Sequence, residues 1–513
     1  MTTHQSGAIG SLTGRISQPP ATLLHDEVLA PQFAYDSRHM LGHYLHLEKA
    51  LLLESQRLGV LTAAQTRAIA SALDRIAATG LVADPAVNLS DLSFAIEVSV
   101  ARLLDEPVPV WRVDRSRNDF QACAQLSLGR AQTVQTATEI LRCTTAVHDL
   151  ASRHVDDVMP GYTHLQAAQV ISPAFYLGAL TEHLLDTADR LLAGYDRSDA
   201  CPLGAGAMAG QLLPWDRARL ARLLGYRSAA PHALASVASR GWLLELAGEC
   251  STFGVGMSRF LTDLMAWAGG EHGFVELPDE LAAISSAMPQ KKNYPILERL
   301  RGKSTHALSW YVDVATTQRA TPFSNTVEVS KEGSAQLVQQ MDGLRSMLRL
   351  ATVVFDNLVF RVDRLRERCE QEYLGAFSLA AELTLNDGLP WREAQVVTGQ
   401  YVLAAQRDGR PSSDGDPELL RALAASHGYR ADHTAEALDS VLRPQDELAR
   451  RATSGSAAPA ETTALLHRQA VRLKDLTEQW DQRREAPERA ARHVDRLLGD
   501  DGTHDPQNGS DPV

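Results

Sequence analysis

The chain has 513 residues, of which 44% are hydrophobic and only 6% aromatic, enough to bury a sizeable core as several domains or one elongated subunit. Its net charge is −13; residues 499–513 hold four aspartates and no Lys or Arg, so the remainder carries −9, which excludes the basic footprint of a nucleic-acid binder. Five cysteines without CxxC spacing argue against a disulfide framework or zinc site, and neither a signal-peptide core nor a run of eighteen apolar residues occurs. A soluble, reducing, cytoplasmic setting with no membrane contact is therefore expected.

In chain order, residues 1–34 read as an irregular arm with Pro19, Pro20 and Pro31 as breakers. Helical spacing follows in Leu41, Leu45, Leu47, Leu51 and Leu52, then in Leu61, Ile69 and Leu73. A short helix is predicted from Ser90 to Leu104, capped by Ser90 or Asp91. Between Trp111 and Met159 there is no proline and one glycine, so a helix of about thirty residues is predicted. Ser172-Pro173 reads as an N-cap followed by proline in the first turn, and further helices are predicted at about 233–268, 295–318 and 332–360. Such lengths suggest a bundle of ~40 Å rods. Beyond it the pattern stays helical to 484, with breaks at Gly388-Leu389-Pro390 and Pro411 to Pro417. The expected division is 1–112, arm and small helical domain; 113–362, central bundle; 363–485, C-terminal helical domain; 486–513, an acidic tail disordered from Gly499.

Three polar islands interrupt this all-α pattern. Ile284-Ser285-Ser286-Ala287-Met288-Pro289-Gln290-Lys291-Lys292-Asn293 carries two hydroxyls, two ammonium groups and no carboxylate, just before a helix that Pro295 can open. A loop at a helix N-terminus favours an anion; a surface loop with two lysines is the alternative. Asp114-Arg115-Ser116-Arg117-Asn118-Asp119 precedes the first long helix, where Ser116 or Asp119 could simply be a cap. Met159 to Gln166 separates the first two long helices; its His164 is a catalyst or a structural histidine. Three such islands at the ends of bundle helices make coincidence the weaker account.

Here the chain resembles the argininosuccinate lyases of the fumarase/aspartase superfamily. The superfamily's Ser-Ser-x-Met-Pro-x-Lys-x-Asn loop stands at Ser285 to Asn293, continued by Glu298, Arg301, Gly302 and Lys303. The family's Arg-Ser-Arg-Asn-Asp motif stands at Arg115 to Asp119, and Pro-Gly-Tyr-Thr-His-Leu-Gln at Pro160 to Gln166. Pro202 to Gly210 is similar to the family's glycine-rich connection, and is discounted as a dinucleotide fingerprint because no strand is predicted before it and its third glycine is one place late. The resemblance implies an all-α, three-domain subunit whose long helices form a homotetrameric core, with each site built from three subunits. It further implies β-elimination of fumarate from a succinyl group on nitrogen.

That chemistry suits these residues. A proton beside a carboxylate is barely acidic, so the dianionic aci-carboxylate formed on its removal needs preorganised donors. By resemblance Ser285 is the base, Lys291 and Thr163 stabilise charge, His164 orients or moves a proton, and Glu298 fixes its tautomer; Glu298 could instead pair with Arg299 or Arg301. Arg115, Ser116, Arg117, Asn118, Gln166, Arg240, Ser286, Met288 and Asn293 are expected to bind substrate. No metal or organic cofactor is called for.

Departures fall elsewhere. Ile284 replaces a glycine and Tyr294-Pro295 the usual Pro-Asp. The early Asp-Ile-x-Gly-Ser segment becomes His43 to Leu47, and Glu-Asp-x-His becomes Ser90-Asp91-Leu92-Ser93. Ser-Asp-Arg-Asp survives only as Ala238-Ser239-Arg240-Gly241, and the Gln after Arg-Ser-Arg-Asn-Asp is Phe120. The segment whose tyrosine, glutamine and lysine contact arginine in the family becomes Ser324 to Gly333. These changes lie on the leaving-group side, so an amine other than arginine is expected. Argininosuccinate lyase itself, with Glu328 or Glu332 holding the arginine, and a non-catalytic crystallin-like scaffold are the alternatives.

Overall fold

The computed structural model describes residues 15, 16 and 18–499, and they are predominantly helical. Helical turns begin at Thr22 and lead into α1 (Ala30–His39), with Pro31 in its first turn. The irregular arm expected up to residue 34 is therefore corrected. Proline in a first turn lacks only an N–H that the helix leaves unpaired, so Pro31 starts a helix instead of breaking one. Then come α2 (Leu41–Arg57), α3 (Ala63–Thr79), started by a Thr62/Gln65 capping box, and α4 (Leu92–Leu103), capped by Asp91.

The long helices follow. α5 (Arg117–Ser152) has 36 residues, a rod ~54 Å long. The hairpin of β1 (Met159–Thr163) and β2 (Gln166–Ile171) links it to α6 (Pro173–Arg197), which Ser172 caps as predicted. α7 (Gly241–Ala268), α8 (Pro295–Gln318) and α9 (Leu337–Asn357) complete the group. α5 lies against α6 and α9, and α7 against α6 and α8. α7 and α8 approach closely: a Cβ added to Gly254 would stand 2.4 Å from the Ser304 carbonyl oxygen.

The helix predicted at 233–268 is broken. Residues Ala233–Ala238 are helical, Ser239 is extended, and α7 begins afresh at Gly241. The Arg240 guanidinium donates to the Val237 and Ser239 carbonyls, which a continuous helix would have used itself.

α10 (Ala376–Leu385), α11 (Trp391–Arg407), α12 (Pro417–Ser426) and α13 (Asp432–Leu442) form a separate core around Leu379, Leu383, Val397, Tyr401, Leu420 and Leu438. α14 (Pro459–Gly499), 41 residues long, leaves that core. Its Leu466, Leu476, Trp480, Val494 and Leu498 belong to the core shared by the bundle and α2 to α4. The boundary expected at 485/486 is thus corrected: residues 486–499 continue the helix, with Ala490, Val494 and Leu498 buried at fourfold spacing. Asp495 pairs with Lys49 of α2 at 2.7 Å, and the Pro487 backbone lies so close to Gly225 that a Cβ there would be 2.7 Å from it. The rest of the expected tail, 500–513, lies outside the described residues, as do residues 1–14 of the expected arm. Among the described residues no helix is long and apolar enough to cross a membrane.

Candidate active site

The first island closes the start of α5. Ser116 is its N-cap, accepting from the Asn118 backbone N–H at 3.1 Å. Arg115 grips the buried Glu48 with both terminal nitrogens, at 2.7 and 2.8 Å, and Arg112 adds a third contact. Burial pushes the Glu48 carboxyl up, but the two guanidinium groups outweigh it and hold it below the usual range. Arg117 pairs with Asp91 and lies over the Phe94 ring.

Asp119 is buried and accepts on Oδ2 from the backbone N–H groups of Gly204 and Gly206, at 2.9 and 3.0 Å. The glycine-rich connection is therefore a backbone cradle for a carboxylate. Gly204 and Gly206 adopt φ of +84° and +63°, which glycine alone reaches without strain. Burial pushes the Asp119 carboxyl up to about 6 against the pull of these donors. The same connection positions Asn118, whose Nδ2 donates to the Ala207 carbonyl at 3.0 Å. Asn325 Nδ2 donates to Asn118 Oδ1 at 3.0 Å, and Arg240 reaches Asn325 Oδ1 at 3.5 Å. Arg240 is 1% exposed. Its Nε donates to Gln125, and burial lowers its pKa to about 10. Gln318, at the end of α8, donates to the Arg240 carbonyl, so the C-terminus of α8 also belongs to this end of the bundle.

The other two islands lie elsewhere. His164 and Leu165 form the two-residue turn between β1 and β2 with φ of +53° and +62°. Positive φ at both positions suits the right-handed twist of a tight hairpin; for side chains other than glycine it costs roughly 1–2 kcal/mol each. Thr163, His164, Leu165 and Gln166 are all exposed. In the third island β3 (Ala283–Ile284) pairs with β4 (Lys292–Asn293), closing a loop just before α8. Ser285 Oγ accepts from the Met288 N–H at 3.1 Å and is half-buried, whereas Ser286, Met288, Lys291 and Glu298 are exposed. Lys292 is the neutralised lysine, pairing with Asp279 at 2.8 Å and Glu276 at 3.6 Å. The hairpin and this loop flank one segment: Tyr162 meets the His272 ring, and Lys292 meets Glu276.

The expected site residues thus fall into two separate groups on the chain. Ser116, Asn118 and Arg240 meet where α5 begins and α8 ends. Thr163, His164 and Gln166 follow the far end of α5, while Ser285, Ser286, Met288, Lys291, Asn293 and Glu298 lie at the start of α8. The 36 residues of α5 and 24 of α8 separate the groups by ~54 and ~36 Å of helix, so one chain does not unite them. Among the expected substrate binders, all three arginines have internal partners in this chain: Arg115 holds Glu48, Arg117 holds Asp91, and buried Arg240 holds Gln125, two carbonyls and Asn325. The sequence reading did not find the Asp119 cradle or the Gln125 and Asn325 contacts. The positive-φ glycines were its only trace.

The comparisons agree with this architecture. A family profile described as "Lyase" matches residues 39–308. Argininosuccinate lyase of Synechococcus sp. is 31% identical over 471 residues, covering 91% of this chain and 92% of the relative. That of Exiguobacterium sibiricum is 34% identical over 390 residues, 74% of this chain and 82% of the relative. Among solved structures, an EDDS lyase variant with bound fumarate is 25% identical, covers 94% of this chain and 96% of that one, and superposes with a TM-score of 0.81. A class II fumarase from Schistosoma mansoni, 16% identical over 82% of this chain and 94% of its own, shares the fold with a TM-score of 0.65. A motif-bearing loop at the start of α8, a bundle of the fumarase/aspartase type and relatives matched over nearly their whole length lead to one assignment: the chain belongs to the lyase family, as an argininosuccinate-lyase-like carbon–nitrogen lyase.

Proposed function

We propose that this lyase releases fumarate from an N-substituted aspartate by β-elimination, or adds the amine to fumarate in reverse, with a leaving amine other than arginine. One observation carries the reading. At the N-terminus of the 24-residue α8, one strand-closed loop carries both Ser285 and an exposed Lys291, while the neighbouring Lys292 is already neutralised by two carboxylates. The positive end of a helix and a free ammonium are what a dianionic aci-carboxylate needs.

In this reading Ser285 takes the Cβ proton, Lys291 and Asn293 stabilise the charge formed, and Ser286 and Met288 shape the loop around the dicarboxylate. Thr163, His164 and Gln166 of a second chain's hairpin, and Ser116 and Asn118 of a third, complete the cleft. His164 then moves a proton to the departing nitrogen, and Glu298 orients it. Because ~54 Å of α5 and ~36 Å of α8 separate the two groups within one chain, the cleft requires self-association, which we take to be a homotetramer. Exposed Leu308, Tyr311 and Val312 on α8, Val255 on α7 and Val353 on α9 supply apolar faces for it. On the leaving-group side, Lys331 is bound to Asp36 at 2.7 Å and is not free for a substrate carboxylate.

The test mixes purified protein with a panel of succinyl-amines, argininosuccinate included, and follows fumarate absorbance. We expect turnover of at least one non-arginine adduct, and a loss of ~10²–10⁴-fold in Ser285→Ala. Efficient cleavage of argininosuccinate would overturn the altered leaving group. No turnover of any adduct would favour the scaffold reading.

A further inference from the structure

A chain of polar contacts runs from the buried Arg240 to the backbone of the glycine-rich connection. Arg240 Nη2 faces Asn325 Oδ1 at 3.5 Å, Asn325 Nδ2 donates to Asn118 Oδ1 at 3.0 Å, and Asn118 Nδ2 donates to the Ala207 carbonyl at 3.0 Å. Side-chain amides can usually be turned end for end, because each offers a donor at one end and an acceptor at the other. Here neither can. A guanidinium only donates and a carbonyl oxygen only accepts, so the two ends of the chain fix the direction of both amides between them.

Arg240 is itself immobile. Nε is bound to Gln125 and Nη1 to the Val237 and Ser239 carbonyls, and the residue is 1% exposed, so it serves Asn325 and not solvent. The first contact is long for a hydrogen bond, yet the buried cation still orients the Asn325 dipole through space. Asn118, by contrast, is half-buried and open to a ligand. With one Nδ2 hydrogen directed at Ala207 and one Oδ1 lone pair taken by Asn325, its second hydrogen has a single direction left.

We infer that Asn325 is a positioning residue. It transmits the polarity of Arg240 to Asn118, so that Asn118 meets the substrate carboxylate with an N–H and never with its oxygen. This rests on the reading of Asn118 as a dicarboxylate ligand.

Asn325→Asp tests it, because aspartate keeps the shape and reverses one link. Its carboxylate accepts from Arg240 more strongly, but it cannot donate to Asn118. The Asn118 amide then turns to donate towards Asp, which sets its oxygen against the Ala207 carbonyl. In the full-length protein we expect a melting temperature equal to or above wild type, from the new ion pair, together with roughly tenfold weaker fumarate binding by calorimetry. Asn325→Ala, which removes the link without reversing it, should melt lower than Asn325→Asp yet bind fumarate better. A purely structural role moves stability and affinity together; the inference requires their order to cross. Fumarate affinity within twofold of wild type in Asn325→Asp would overturn it.

A crystal structure of either variant reads the same point without substrate. Loss of the Asn118 to Ala207 bond is expected in Asn325→Asp, and its retention at the present length would refute the relay. If wild type binds no fumarate, the functional reading fails, and the crystallographic result alone decides whether the relay exists.

Discussion

An Asn118→Ala chain and a Ser285→Ala chain, each nearly inactive alone, should regain activity when assembled together. The magnitude follows from the rods. α5 has 36 residues, about 54 Å of helix, and the Ser285 loop lies at the opposite end of the bundle from Asn118. No chain can then supply both residues to one cleft. In a 1:1 coassembly, a cleft is whole when its Asn118 end comes from the Ser285→Ala chain and its Ser285 end from the Asn118→Ala chain. Random assembly gives each condition a chance of about one half, so about one quarter of clefts are intact in a symmetric oligomer. Each parent alone should fall by ~10²-fold or more. The assay is fumarate release by doubly tagged hetero-oligomers, purified after co-expression, on the succinyl-amine that wild type turns over best. Activity no greater than the mean of the two parents would refute the division of the site between chains.

Two more outcomes follow from local geometry. Gly254→Ala drives a methyl group against the Ser304 carbonyl, a backbone atom that cannot turn aside, and should destabilise by roughly 1–3 kcal/mol. Gly399→Ala on the exposed face of α11 meets nothing within 4 Å and should stabilise by about 1 kcal/mol through helix propensity; urea melts giving the two the same sign would refute the close-approach argument. For Asp119, the folded pKa of about 6 lies above the ordinary 3.8, so folding favours the protonated acid. That contribution is full below about pH 4 and is lost as the pH rises through about 6, by about 3 kcal/mol. Asp119→Asn does not titrate there, so its stability should rise relative to wild type between pH 4 and 7; a constant difference across that range in pH-dependent urea melts would count against burial as the cause.

The long helices were legible because their signals are local. Pro295 opens α8 and Ser172-Pro173 opens α6 as predicted; these choices depend on caps and missing N–H groups within a few residues. What was not legible depends on distant partners. The break at Ser239 exists because Arg240 turns back on two carbonyls, and the cation stays buried because Gln125, more than a hundred positions away, receives its Nε. Residues 486–499 read as a polar tail because only Ala490, Val494 and Leu498 are buried there, and the surfaces that cover them belong to elements far back in the chain. Asp119 could be read as a cap, but its cradle at Gly204 and Gly206 joins residues that no spacing rule relates. The motifs named the family, whereas the separation of the expected site residues into two groups needed the helix lengths.

The contact between Lys49 and Asp495 spans 446 positions, and it has a consequence for how the protein is made. At a synthesis rate of about 5–20 residues per second, the turn that covers Lys49 leaves the ribosome roughly 20–90 s after Lys49 itself. Until then Lys49 has only Asp74 of α3 as its partner, and the side of α2 that faces α14 stays uncovered. The core around α2 to α4 therefore waits, incompletely sealed, for α14 to be translated, and during that interval a chaperone would find it open.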